Sequence, residues 1–173
     1  MALRPILIHP DPRLKTVCDP VAEITDELRR LADDMVATMY DAPGIGLAAP
    51  QVGVTQRLIV ADANKDPDAE PAPRVLINPE VVAASDERSV YDEGCLSIPE
   101  QYAEVERPAA VTVRWLGLDG EERREDFEGL WATCLQHEID HLNGVLFIDH
   151  LKPLKRQMIT RKMVKLKRER ARA

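Results

Sequence analysis

The segment His137-Glu138-Ile139-Asp140-His141 holds the residues of this sequence best suited to chemistry, two histidines four apart with a glutamate between them. In a helix turning roughly 100° per residue, the two imidazoles point about 40° apart and can grip one metal ion. Glu138 falls about 60° beyond His141 on the same reckoning, near such an ion yet free to move a proton on water. The ordinary alternative is a helix whose histidines satisfy core hydrogen bonds.

Two imidazoles do not close a site, because catalytic zinc-type centres take three protein ligands and keep one position for water. The protease pattern H-E-x-x-H-x-x-G-x-x-H is only partly present. Gly144 is in place, but Phe147 stands where the last histidine belongs, and His150 comes three residues later. Glu169 is the only later glutamate and lies among basic residues, while Asp149 stays open without a supporting pattern. Cys134 lies one turn before His137 on the same face. Three ligands on successive turns of one helix suit tetrahedral geometry badly, so Cys134 is expected to line a wall beside the metal with Leu130. Cys95, in Glu93-Gly-Cys-Leu-Ser97, comes from another segment, approaches from another side, and is the preferred third ligand.

The elements that must position these groups belong to a chain of 173 residues, 45% hydrophobic and 31% charged. That length fits one domain able to bury a core without disulfides. The composition argues against disorder and against a membrane protein. No apolar run approaches the roughly 18 residues of a membrane span. Met1 to Pro10 shows neither the features of a secretory signal nor those of a transit peptide, so the cytoplasm is the expected location. Three cysteines, Cys18, Cys95 and Cys134, do not make a disulfide scaffold; each is buried filler or a metal or catalytic group. The net charge of −7 conceals an asymmetry: from Lys152 onward ten Lys or Arg face a single acid, Glu169. An acidic body with a basic tail points to the tail as the part that meets a polyanion.

Thr25 predicts a cap for an amphipathic helix over 26–40, with Leu28, Leu31, Ala32, Met35, Val36 and Met39 on one face. The stretch Gly44-Ile-Gly-Leu-Ala-Ala-Pro-Gln51 suits close backbone approach. Residues 57–62 and 74–83 read as strands, and Val111–Leu118 and Glu121–Phe127 as a hairpin about Asp119-Gly120. Phe127 to Asn143 reads as a helix ended by Gly144, and Pro153 opens a last helix. The expected fold is α+β, short antiparallel sheets around a central metal-binding helix, with a catalytic domain over 1–152 and a basic C-terminal helix over 153–173, either part of that domain or an appendage.

Three blocks, Gly44-Ile-Gly-Leu-Ala-Ala-Pro-Gln51, Glu93-Gly-Cys-Leu-Ser97 and Gln136-His-Glu-Ile-Asp-His141, resemble the three signature motifs of bacterial peptide deformylases, in order and with typical spacing. The resemblance also covers the opening Ile-His-Pro-Asp-Pro-Arg and the later Leu-Phe-Ile-Asp-His-Leu. It implies removal of the formyl group from the initiator methionine of nascent chains by hydrolysis. It further implies one divalent metal ion, Fe2+ in preference, with Zn2+, Ni2+ or Co2+ as substitutes, held by Cys95, His137 and His141. Glu138 would then serve as general acid and base, and the Gln51 amide and the Leu96 backbone N–H as oxyanion donors. Ile45, Gly46, Gly94, Leu130 and Cys134 are the candidate substrate-binding residues. The peptide would add as a strand, with main-chain hydrogen bonds that tolerate many sequences. Tyr102 departs from the arginine that better-known relatives often carry. The expected partners are formyl-methionyl nascent peptides and, through the basic helix, ribosomal RNA; no membrane is expected, and nothing demands more than a monomer.

Overall fold

The computed structural model describes residues 1–64 and 66–172. Helix α1 spans Asp26–Asp41, and Thr25 caps it by accepting a hydrogen bond from the Leu28 N–H at 3.1 Å. Asp26 and Glu27 in its first turn complement the positive end of the helix dipole. The expected face is the buried one, with Leu28, Leu31, Ala32, Met35 and Met39 inside and Val36 only partly buried against them.

Five strands form one antiparallel sheet: β1 (Gly46–Ala48), β2 (Leu58–Ala61), β3 (Arg74–Ala84), β6 (Ala110–Leu116) and β7 (Glu122–Glu128), in the order β1-β2-β3-β6-β7. The run Leu58-Ile-Val-Ala61 explains how the sheet is covered. Leu58 and Val60 join the core around α1, whereas Ile59 and Ala61 join the core around a second helix, α2 (Gly129–Leu142). A strand buried on both faces reads as a continuous apolar run, which is why this one has no polar alternation.

Strands β4 (Arg88–Cys95) and β5 (Ile98–Pro108) pair as a separate two-stranded ribbon with a register shift between Gly94 and Cys95. No strand is expected here from the sequence. The alternation is nevertheless present on β5, where Ala103, Val105 and Arg107 point inward between exposed neighbours. The ribbon, Leu14 under a 3₁₀ turn at Pro12–Lys15, and the Leu146-Phe-Ile148 segment form a third core. Helix α3 (Pro153–Arg172) attaches to it through Ile159 and Met163, its two buried residues.

The helix expected over 127–143 begins two residues later. Phe127 belongs to β7, paired opposite Val111, and Gly129 at φ 60 makes the turn from strand to helix. At the other end Gly144, at φ 72, follows the last turn as expected, and a Cβ there would meet the Lys15 carbonyl oxygen at 2.6 Å. Cys18 is buried filler in the core around α2, and its N–H donates to the Leu142 carbonyl. Among the described residues, no helix is long and apolar enough to cross a membrane.

Candidate active site

Helix α2 runs through the middle of the molecule and carries His137, Glu138 and His141 on the side facing the β4–β5 corner. Cys95 ends β4 there. Its Sγ lies 3.4 Å from Nε2 of His141, and one ligand atom from each of Cys95, His137 and His141 falls within 4.8 Å of the others. Among the described residues this is the one such group of metal-ligating side chains. Phe147, at the position where the protease pattern would need a third histidine, stacks on the His137 ring instead, with centroids 6.1 Å apart.

The donor set fits a divalent transition metal. A thiolate with two imidazoles is the borderline-soft combination that binds Zn2+ or Fe2+. Metal-bound histidines must be neutral, and burial pushes His141 well below its ordinary pKa. His137 donates from Nδ1 to Glu93 Oε1 at 2.9 Å, which leaves Nε2 as its free ligand atom. The fully enclosed Oε1 of Glu138 has no hydrogen-bond partner, and it lies 3.8 Å from Nε2 of His141. Burial pushes the Glu138 carboxyl up to about 7, against the pull of His137. A carboxyl in that range can both take and return a proton near neutrality.

Behind the histidines lies a network of buried charges not expected from the sequence. Arg107, 5% exposed at its side chain, donates from Nε and Nη2 to the two oxygens of Glu93, at 2.7 and 3.0 Å. Its Nη1 donates to Oδ2 of Asp140 at 2.9 Å. Burial alone would raise the Glu93 carboxyl, but hydrogen bonds from His137 and Arg107 hold it below the ordinary range. The signal for Arg107 was an arginine on the inward side of an apolar alternation. Such a residue is buried only if carboxylates receive it.

Gln51 lies in the 3₁₀ turn after β1 and is almost fully buried. Its Oε1 accepts the Ala48 N–H at 2.9 Å, so its amide nitrogen must face the other way, towards Ser97 Oγ at 3.0 Å and Cys95 Sγ at 3.6 Å. Leu96 sits between those two residues on the same loop.

These groups open into a cleft of about 430 Å³. Ile45, Gly46, Gly94, Leu130 and Cys134 all line it, as do Gln51, Leu96, His137, Glu138 and, at its exposed edge, Tyr102. Burial keeps the Cys134 thiol well above its usual pKa, and Sγ lies 3.5 Å from the Ile45 carbonyl oxygen. It is therefore a neutral, apolar part of the wall. Tyr91 also lines the cleft and was not expected there; it belongs to β4 of the ribbon, where no strand is expected from the sequence.

The same arrangement has counterparts among known proteins. A family model for polypeptide deformylase matches residues 3–157. The peptide deformylase of Rhizorhabdus wittichii is 59% identical over 174 residues, covering 98% of each chain. The crystal structure of a peptide deformylase from Legionella pneumophila superposes with a TM-score of 0.90 at 48% identity, covering 99% of each chain. A class I type b peptide deformylase from Acinetobacter baumannii, crystallised with Met-Ala-Ser bound, gives 0.82 at 37% identity, covering 87% of this chain and 99% of that one. With sequence, fold and the order of the three motif blocks all in agreement, the chain belongs to the polypeptide deformylase family.

Proposed function

We propose that this chain removes the N-formyl group from formyl-methionyl peptides in the cleft, with Cys95, His137 and His141 holding a divalent metal and Glu138 moving the proton. Metal-dependent deformylation of nascent peptides is the function of the family. The observation that carries this assignment of roles is the placement of Glu138, buried and unpartnered at Oε1 beside the cluster of Cys95 and the two histidines. A divalent ion held there would supply Lewis-acid polarisation and make a water nucleophile available at neutral pH.

Glu138 takes the proton of the attacking water at its free oxygen and delivers it to the departing amine nitrogen, while the formyl group leaves as formate. The Gln51 amide nitrogen and the Leu96 backbone N–H donate to the carbonyl oxygen as its charge develops. Ile45, Leu130 and Cys134 form the apolar slot for the methionine side chain, and Gly46 and Gly94 let the peptide backbone come close. The Cys95 sulfur is compatible with Fe2+, the ion that the family resemblance favours, and with Zn2+, Ni2+ or Co2+ in its place.

The basic helix α3 is read as part of the same folded unit over 1–172, anchored by Ile159 and Met163, with its exposed cations turned to ribosomal RNA. A monomer working in the cytoplasm accords with that role. The test is an anaerobic preparation on which metal content and formate release from formyl-Met-Ala-Ser are measured together. Glu138→Ala should keep the metal and lose turnover. Chain cleavage of an unformylated peptide, or full activity in Glu138→Ala, overturns the assignment.

A further inference from the structure

We propose that His150 is a positioning residue for the metal centre, acting through Asp140, Arg107 and Glu93 on His137. The inference rests on the assignment of Cys95, His137 and His141 as ligands and adds a residue to it.

Four consecutive hydrogen-bonded links make the connection. His150 Nε2 lies 2.9 Å from Oδ2 of Asp140, and the same oxygen accepts Nη1 of Arg107 at 2.9 Å. Arg107 holds both oxygens of Glu93, and Glu93 Oε1 receives the Nδ1–H of His137 at 2.9 Å. Side-chain exposure falls along this path, from 38% at His150 and 25% at Asp140 to 5% at Arg107 and at Glu93. The relay therefore runs from the surface to the interior.

Each link constrains the next. A planar guanidinium bound on two sides cannot turn without breaking a hydrogen bond on one of them. Of the two carboxylates, Asp140 is the one open to water, and it can swing outward unless something holds Oδ2 in place. His150, at the end of the 3₁₀ turn Phe147–His150, supplies that hold from a different element. The same turn places Phe147 against the His137 ring, so one segment braces this ligand both by stacking and through the relay. Partners of a ligating histidine fix its tautomer and ring orientation, and their loss costs about 10–100-fold in metal affinity.

The experiment loads wild-type protein and variants with Zn2+ and follows transfer of the metal to a chromophoric chelator at fixed pH, alongside the thermal midpoint of each metal-free protein. His150→Leu is expected to speed zinc loss by about tenfold, the lower end of that range. His150→Gln, whose amide can still donate to Asp140, should restore slow release. In a Glu93→Gln background, His150→Leu should change nothing further, because the path is already cut. Wild-type release from His150→Leu overturns the proposal. So does an undiminished effect in the Glu93→Gln background, or a lowered metal-free midpoint with unchanged release. Zinc held equally well after Cys95→Ser would instead overturn the ligand assignment itself, and the relay with it.

Discussion

Gly46 lies so close to Glu138 that a Cβ built on it would stand 2.6 Å from Oε2 and 2.9 Å from Cγ. Cys134 Sγ closes the same space at 3.0 Å. The small residue at the start of β1 is therefore what lets the carboxylate occupy the cleft wall.

Gly46→Ala should accordingly fold but push Glu138 out of line with the water it is proposed to activate. Displacements of about 1 Å in a catalytic group can cost on the order of 100-fold in rate. The expected result is a fall of that order in kcat with the metal retained. Unchanged kcat in this variant would mean that the Glu138 position is not critical. A control at Gly120, in the hairpin turn remote from the cleft, should affect stability and leave kcat alone.

The Gln51 amide is oriented by the backbone, since the Ala48 N–H can only be met by its oxygen. Gln51→Leu removes the amide donor and should lower kcat by about 100–1,000-fold, the usual effect of losing one oxyanion donor. Ser97→Ala removes only the partner of the amide nitrogen, 3.0 Å away, and should cost far less. Steady-state formate release for the two variants decides the order. Equal losses would assign Gln51 a structural role shared with Ser97.

Much of this site is legible in the amino-acid sequence. The helical repeat puts His137 and His141 on one face, and the poverty of ligands downstream of them turns attention to Cys95. The apolar run at 58–61 and the Asp119-Gly120 turn mark out the large sheet. The ribbon at 88–108 is not legible as a whole, because β4 exposes Val90 and buries Glu93, and the inward alternation of β5 ends on the charge of Arg107. The Glu93 and Arg107 side chains satisfy each other only once β4 and β5 are paired and α2 brings His137 and Asp140 alongside. Buried ion networks depend on residues distant in sequence, which no local periodicity encodes.

Acid should weaken the N-terminal clamp on the third core in a defined range. Side-chain hydrogen bonds from Arg13 hold the Asp11 carboxyl at about 2, below its ordinary 3.8, while it caps the turn that buries Leu14. The folded state thus binds this proton less readily than the unfolded chain. The stabilisation is complete above 3.8 and disappears as the pH falls through about 2. Urea midpoints of wild type and Asp11→Asn should be well separated at neutral pH and converge on acidification across that interval. A separation independent of pH would show that the charge of Asp11 is not what matters.

Helix α3 combines two buried anchors with exposed cations. Removing the helix outright is a poor test of ribosome docking, because Ile159 and Met163 are buried against the ribbon and Phe147, and truncation would expose that core. Lys165, Arg168 and Arg172 are exposed and contribute charge without packing. Replacing all three with glutamate should leave the thermal midpoint and the hydrolysis of a short formyl peptide close to wild type. Binding to ribosomes, read by co-sedimentation over a series of salt concentrations, should weaken. Its dependence on log salt should flatten by about 0.7–0.9 for each phosphate that the helix no longer neutralises. Undiminished co-sedimentation with an unchanged salt slope would mean that this charged face docks on no RNA, leaving its cations as an ordinary solvated surface.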